Sequence, residues 1–244
     1  MNTSTIFRIS GILFFICLLL SSCKKDCFAV KGKGAIESKV YTVPSFNAVS
    51  NSISAVVYLT SDSIQSVRVE AQSNIHEILS FKVLNNELQI GYINNCGSIK
   101  HDDIKIYISI PTVTALRLSG SGDMVTTNEF QTAFLDATIS GSGSITAAVQ
   151  SSAFVNGQIS GSGNLIISGN TSAESFKISG SGNIRSFALQ SLNSVIEISG
   201  SGNADVNIEN QLSVSISGSG DVRYKGNPSV SSNISGSGNI TQVP

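Results

Sequence analysis

The sequence predicts an all-β chain wound as a parallel β-helix, a β-solenoid with coils of about 18–21 residues. Three observations carry this. One phrase, Ile178-Ser-Gly-Ser-Gly-Asn-Ile184, recurs with small changes seven times in the C-terminal half, its first serine falling at 119, 140, 160, 179, 199, 217 and 235. Between copies apolar and polar residues alternate, as in Leu212, Val214 and Ile216 around Ser213 and Ser215, and a period of two is that of a half-buried strand. Glycine, serine and β-branched residues dominate, and beyond the N-terminal apolar segment no long stretch has the 3.6-residue period of a helix.

One repeat therefore reads as strand, tight Gly-Ser-Gly corner, strand and second corner. Seven glycine pairs form the tight corners: Gly120 and Gly122, Gly141 and Gly143, Gly161 and Gly163, Gly180 and Gly182, Gly200 and Gly202, Gly218 and Gly220, Gly236 and Gly238. A corner this tight needs positive φ or close backbone approach, and glycine supplies both without a Cβ clash. The residue after each pair is Asp123, Ser144, Asn164, Asn183, Asn203, Asp221 or Asn239, short polar types that bond neighbouring amides. Coils that repeat in register stack each strand on its counterpart about 4.8 Å along, so seven coils make about 34 Å of rod. Serines and asparagines then form ladders at the corner, and Ile and Val form a dry interior. Antiparallel hairpins folded at each Gly-Ser-Gly fit the same alternation, but they leave the near identity of the copies unexplained.

The N-terminus reads differently. Arg8 precedes an apolar run, Ile9 to Leu20, too short for a comfortable membrane span. This is the pattern of a secretory signal. Leu20-Ser-Ser-Cys23 resembles the lipobox of bacterial lipoproteins, in which cleavage precedes a cysteine that is then lipidated; an ordinary secretory signal or an uncleaved anchor is the alternative. The expected organisation is a signal peptide over 1–22, lipidated Cys23 and a short linker over 23–29, and one solenoid domain over 30–244. Within that domain 30–116 is irregular and 117–244 holds the repeats. Several acyl chains on Cys23 would anchor the chain stably, at about 0.8 kcal/mol per buried CH₂.

Cysteine use fits export. Cys17 leaves with the signal and Cys23 takes lipid, so Cys27 and Cys96 remain as a candidate disulfide in an oxidising compartment, or as two buried thiols. Joined, they would close a loop of about 70 residues, worth about 4 kcal/mol on the chain-entropy model. No metal or cofactor is expected, since these cysteines and the distant His76 and His101 lack metal-ligand spacing. Both histidines read as surface or loop residues, and Tyr58, Tyr92, Tyr107 and Tyr224 as core or face packing with a sugar site as the second use. With 15 Lys plus Arg against 16 Asp plus Glu the net charge is −1, and nothing favours nucleic acid.

Residues 28–116 alternate less regularly, as in Ile104, Ile106, Ile108 and Ile110 and in Val67, Val69 and Ala71, with Asn85-Asn86 as a turn. Phe46 to Ile53 lies over Val113 to Gly120, both entered after a proline, Pro44 and Pro111. That overlay makes 28–116 a degenerate part of the same solenoid, an N-terminal cap with wider coils. At the far end Pro244 discourages edge pairing.

A lipoprotein signal, the stretch Gly34-Ala-Ile-Glu-Ser-Lys-Val-Tyr-Thr-Val-Pro-Ser-Phe46, the run Val67-Arg-Val-Glu-Ala71 and the Ser-Gly-Ser-Gly-Asn/Asp series together resemble the putative auto-transporter adhesin, head GIN domain family of bacterial envelope proteins. The resemblance covers about 30 to 244. It implies a right-handed β-solenoid of pectin-lyase-like appearance, Gly-Ser-Gly at the turns between its sheets, a role in adhesion, and no catalytic residues to carry over.

The first functional expectation is a non-enzymatic, lipid-anchored adhesin or binding module of the cell envelope, an outer-membrane lipoprotein facing the periplasm or the surface. Its partners would be the membrane through its lipid and a cell-surface or extracellular protein or glycan, with homo-oligomers open. A purely structural envelope protein is the plain alternative. A polysaccharide-acting enzyme needs paired carboxylates converging on one groove, whereas Glu174, Glu197, Asp205, Glu209 and Asp221 shift position from coil to coil. Calcium-binding solenoids carry an aspartate in each turn, and here the equivalent residue is Asp only at 123 and 221. The Gly-x-Gly runs lack the Lys-Ser/Thr and helix of a phosphate loop.

Overall fold

The computed structural model describes residues 29–93 and 98–244. The chain divides into two units. In the smaller, the described residues form a two-stranded parallel ladder, β1 (Val30–Lys31) beside β8 (Ile99–Lys100). The larger unit is built around the repeated corner.

Its regular part runs through β10 (Ala115–Gly120), β11 (Asp123–Thr126), β12 (Phe130–Gly141), β13 (Ser144–Gly161), β14 (Asn164–Gly180), β15 (Asn183–Gly200), β16 (Asn203–Gly218), β17 (Val222–Lys225), β18 (Ser229–Gly236) and β19 (Ile240–Gln242). Every neighbouring pair here is parallel, and the corner glycines stack in one row: Gly120 on Gly141, then Gly161, Gly180, Gly200, Gly218 and Gly236. Each long strand leaves one corner, bends at the second, and returns to the next. Differences in coil length are absorbed at that second bend, where the register slips between Gln150 and Phe154, between Ile166 and Gly169, and between Ser186 and Gln190. The Gly-Ser-Gly corner is thereby kept in phase along the stack.

The alternation of apolar residues fixes what faces inward. Ile139, Ile159, Ile178, Ile198 and Ile216 form one interior column, each 2% exposed or less. Ile145, Leu165, Ile184, Ala204 and Val222 form a second on the other side of the corner. Burying one such isoleucine stabilises the fold by about 1.5–3 kcal/mol. One column holds an exception: Val155, Glu174, Ser194 and Leu212 occupy matching inward positions, so a carboxyl lies inside.

The N-terminal part contributes two further coils. β3 (Ala48–Asn51) lies on β10 with Ala48 opposite Ala115 and Asn51 opposite Leu118, the register that the overlay of Phe46 on Val113 requires. β4 (Ala55–Ser61) lies on β11. At this coil Asn51 replaces the glycine corner: its buried Oδ1 accepts from the Ile53 N–H at 3.2 Å and its Nδ2 donates to the Ala55 carbonyl at 3.4 Å. The next coil out comes later in the chain, because β7 (Glu87–Tyr92) lies on β3 and β9 (Ile104–Ile110) on β4, both parallel.

Antiparallel strands then take over. β6 (Leu79–Leu84) folds back on β7 through Asn85-Asn86, whose φ of 52° and 61° suit a two-residue hairpin turn. β5 (Ser66–Gln72) pairs antiparallel with β9, and β2 (Ile36–Val40) with β5. The irregular region is thus not a set of wider coils. It is two coils of ordinary register plus an antiparallel cap that covers the outer coil, with one short helix, α1 (Ser73–His76), after β5. At the opposite end every residue of β18 is exposed. Among the described residues no helix is long and apolar enough to cross a membrane.

Candidate binding surface

The two glycines of each corner answer different needs. Gly180 has φ +126°, and its counterparts run from +117° at Gly120 to +138° at Gly141, values that L residues rarely adopt. Gly182 is a matter of space: a Cβ there would stand 2.5 Å from Ile159 Cγ2 and 2.7 Å from the Gly163 carbonyl oxygen. Gly141, Gly161, Gly200, Gly218 and Gly236 share the first condition. Gly122, Gly143, Gly163, Gly202, Gly220 and Gly238 share the second, each with a backbone carbonyl of the preceding coil where a Cβ would go.

Beyond the corner runs a ladder of short polar side chains. Asn183 Nδ2 donates to Asn164 Oδ1 at 3.3 Å and Asn203 Nδ2 to Asn183 Oδ1 at 3.1 Å. The Asp221 N–H then donates to Asn203 Oδ1, and the Asn239 N–H to Asp221 Oδ1, both at 2.9 Å. At the other end the Ser144 N–H donates to Asp123 Oδ1 at 3.1 Å. Both aspartates of the series are therefore engaged by the amide of the next coil. Among the described residues no three His, Cys, Asp or Glu side chains stand close enough together to hold a metal ion.

Two outward grooves flank this framework. The first, of about 450 Å³, crosses the N-terminal coils and is lined by Asn47, Glu87, Gln89, Arg117, Phe134 and Asp136 among others. Arg117 ties β7 to β12 across β3 and its own β10, donating from Nη1 to Glu87 at 2.6 Å and from Nη2 to Asp136 at 2.9 Å. Asn156 Nδ2 donates to the other Asp136 oxygen at 2.8 Å, which orients that carboxylate further. Phe134, 43% exposed, stacks on Phe154 of the next coil with ring centroids 6.0 Å apart. The groove thus sets an exposed ring beside hydrogen-bonding groups that already orient one another.

The second groove, of about 330 Å³, lies near the C-terminal coils and is lined by Asn183, Ile184, Arg185, Asn203, Asp205, Asp221 and Arg223. Arg185, Asp205 and Arg223 are register partners in three successive coils. Arg223 grips Asp205 with two hydrogen bonds of 2.7 Å, which raises the pKa of the guanidinium. The ring of Phe187 sits beneath two cations, 5.7 Å from the Arg223 guanidinium and 5.3 Å from Lys225 Nζ.

Other residues singled out in the sequence fall elsewhere. His76 is not a surface residue: it is 7% exposed in α1, with Nε2 3.0 Å from the Glu37 carbonyl and Nδ1 2.9 Å from the Tyr41 hydroxyl. Because a carbonyl only accepts, Nε2 donates to it, while the Tyr41 hydroxyl is shared between Nδ1 and the His76 carbonyl at 3.4 Å. His101 lies in a loop and takes the mirror arrangement, with Nδ1 donating to the Asp102 carbonyl at 2.7 Å and Nε2 accepting from Tyr92 at 3.0 Å. Burial raises the pKa of both tyrosines. Tyr58 and Tyr107 stack with ring centroids 5.2 Å apart, with Arg68 over the Tyr107 ring, away from either groove. Arg68 first and Tyr107 second, by hydrogen bonding, hold Glu70 below the usual carboxylate range.

Of the acids, Glu197 pairs with Lys177, Glu209 accepts from Gln190, and Glu174 is buried. Burial raises the Glu174 pKa to about 8 against one hydrogen bond from Ser194, and its Oε2 has no partner among the described residues. Cys23, Cys27 and Cys96 lie outside the described residues. The residues of each groove are far apart along the chain, so no local motif marks either one. Numbering from the first serine of each phrase would have found one: Arg185, Asp205 and Arg223 each follow theirs by six positions.

The family model described as putative auto-transporter adhesin, head GIN domain matches residues 45–228. The chain is also similar to three solved structures. A putative adhesin from Bacteroides fragilis is 22% identical with a TM-score of 0.81, over 88% of this chain and 100% of that one. A putative adhesin from Parabacteroides distasonis is 23% identical with a TM-score of 0.71, over 88% and 100%. A putative lipid binding protein from Parabacteroides distasonis is 21% identical with a TM-score of 0.67, over 89% and 100%. At these identities the likeness is one of fold. Among curated protein sequences none matches the chain significantly.

Proposed function

Because the chain belongs to the putative auto-transporter adhesin, head GIN domain family, we propose that it is a non-enzymatic adhesion module of the bacterial cell envelope, held to a membrane by lipid on Cys23 and binding surface glycans. The observation that carries this reading is the groove of Arg117, Glu87 and Asp136 beside the exposed Phe134 ring. Its polar groups are fixed by one another across four stacked coils, so little side-chain entropy is lost when a ligand replaces water there. An aromatic face with oriented carboxylate and amide groups suits a sugar ring.

The arrangement does not favour hydrolysis. Glu87 and Asp136 are both hydrogen-bonded to one arginine, so they are held as its partners and are not set on either side of a scissile bond as an acid and base pair. The test is adherence of cells to glycan-coated surfaces in a deletion strain complemented with the wild type or with a Phe134→Ala, Arg117→Ala double variant. Adherence lost on deletion, restored by the wild type and not by the double variant is the expected outcome. Adherence unchanged by deletion overturns the reading, as does glycan cleavage by the purified protein.

A further inference from the structure

The second groove carries a ligand chemistry of its own, and the inference rests on the adhesion reading above. Three cations lie on this part of the solenoid: Arg185 on one coil and, two coils on, Arg223 and Lys225, both of which sit over Phe187. Arg223 is committed to Asp205, and with Lys225 it is held over the aromatic ring. Arg185 is different. It is exposed, lines the groove, and among the described residues makes no ion pair or hydrogen bond. A guanidinium presents donors in a planar fork that fits a carboxylate or sulfate with two parallel bonds.

The neighbours of Arg185 supply the remainder of a site. Asn183 and Asn203 each use one amide N–H within the ladder, and an amide nitrogen has two. Asp221 accepts the Asn239 N–H through one oxygen, and its second oxygen is an acceptor for a hydroxyl. Asp205 does not oppose an incoming anion strongly, because Arg223 holds both its oxygens. The groove thus offers one uncommitted cation ringed by amides and a carboxylate suited to hydroxyls. Its volume of about 330 Å³ stands at the small end of the range for ligand sites, roughly 300–1,000 Å³.

We propose that this groove binds an acidic sugar unit, with Arg185 taking the carboxylate or sulfate and Asn183, Asn203 and Asp221 taking hydroxyls. The test is isothermal titration of the full-length protein in detergent with sodium glucuronate, 3′-sialyllactose and glucose 6-sulfate, each beside a neutral counterpart: glucuronate methyl ester, lactose and glucose. The expected result is binding of at least one acidic probe, weakened tenfold or more in its neutral counterpart and in Arg185→Gln, with the thermal unfolding of that variant unchanged. Binding of the carboxylates alone, or of the sulfate alone, identifies which oxyanion the site takes. Equal affinity for acidic and neutral members, no binding of any acidic probe, or undiminished binding by Arg185→Gln overturns the inference. Cell adherence that survives Arg185→Gln alongside a failed titration leaves the adhesion reading standing, so the two fail separately.

Discussion

Replacing Glu174 by glutamine tests how a carboxyl is tolerated inside the solenoid. Glu174 is 1% exposed, and its pKa rises from 4.5 to about 8 because burial penalises the charged form. In the unfolded chain the group ionises near its ordinary value, so between about pH 4.5 and pH 8 the folded state holds a proton that the unfolded state has released. Stability must then fall as pH rises through that window, by about 1.4 kcal/mol per unit, and level off on either side. The loss is about 1 kcal/mol at pH 5, about 3 at pH 7 and nearly 5 at pH 9. Glutamine keeps an oxygen for the Ser194 hydroxyl, now 2.9 Å from Oε1, and never ionises. Urea unfolding at pH 5, 7 and 9 should therefore show Glu174→Gln gaining on the wild type by about 2 kcal/mol between pH 5 and pH 7, and gaining further by pH 9. Other titrating groups are common to both proteins and cancel in the difference. A difference that stays flat from pH 5 to 9, or that grows toward acid, would show that Glu174 is ionised in the fold and refute the reasoning.

The corner glycines make a paired prediction. Both Gly120 and Gly180 have positive φ, but a Cβ at Gly120 would meet nothing within 4 Å, whereas one at Gly180 would stand 2.5 Å from the Gly161 oxygen. Gly120→Ala should cost about 1–2 kcal/mol by thermal unfolding and Gly180→Ala more, since strain at such a φ costs about 1–3 kcal/mol before any clash. Ile178→Ala, in the middle of a fully buried column, should cost about 2–5 kcal/mol. For the bridge in the first groove, Arg117 is 40% exposed, so a double-mutant cycle of Arg117→Ala with Asp136→Ala should give a coupling of about 1 kcal/mol or less that shrinks in high salt.

Much of the fold was legible because repetition turns a weak local signal into a register. Alternation around Leu212 to Ile216 says only that a strand is half buried; seven copies of Ser-Gly-Ser-Gly at nearly one spacing say which residues stack. The overlay of Phe46 on Val113 placed β3 correctly for the same reason. What stayed hidden was order. Nothing in Leu88 to Ile90 or Ile104 to Ile110 states that these strands belong outside β3 and β4, because strand direction and neighbour are set by long-range pairing and not by local pattern. The interior position of Glu174 is legible in the sequence, since it lies in phase with Phe176 and Ile178. The grooves needed side chains from successive coils laid next to each other, and a pass along the chain does not do that.

The out-of-sequence coil has a consequence for how the chain acquires its shape. Between Gly120 and Gly236 each strand meets a partner about 20 residues away, so one coil can settle on the last as soon as it exists. The coil of β3 and β4 cannot follow that rule, because its partners lie 39 residues on at Glu87 and 67 residues on at Ala115. Loop closure over the longer separation comes later and more slowly. Growth therefore starts in the repeats and runs back toward the cap, and residues near the N-terminus are among the last to lock. For a chain that emerges N-terminus first, the leading part of the solenoid is exposed well before it can close its end of the structure.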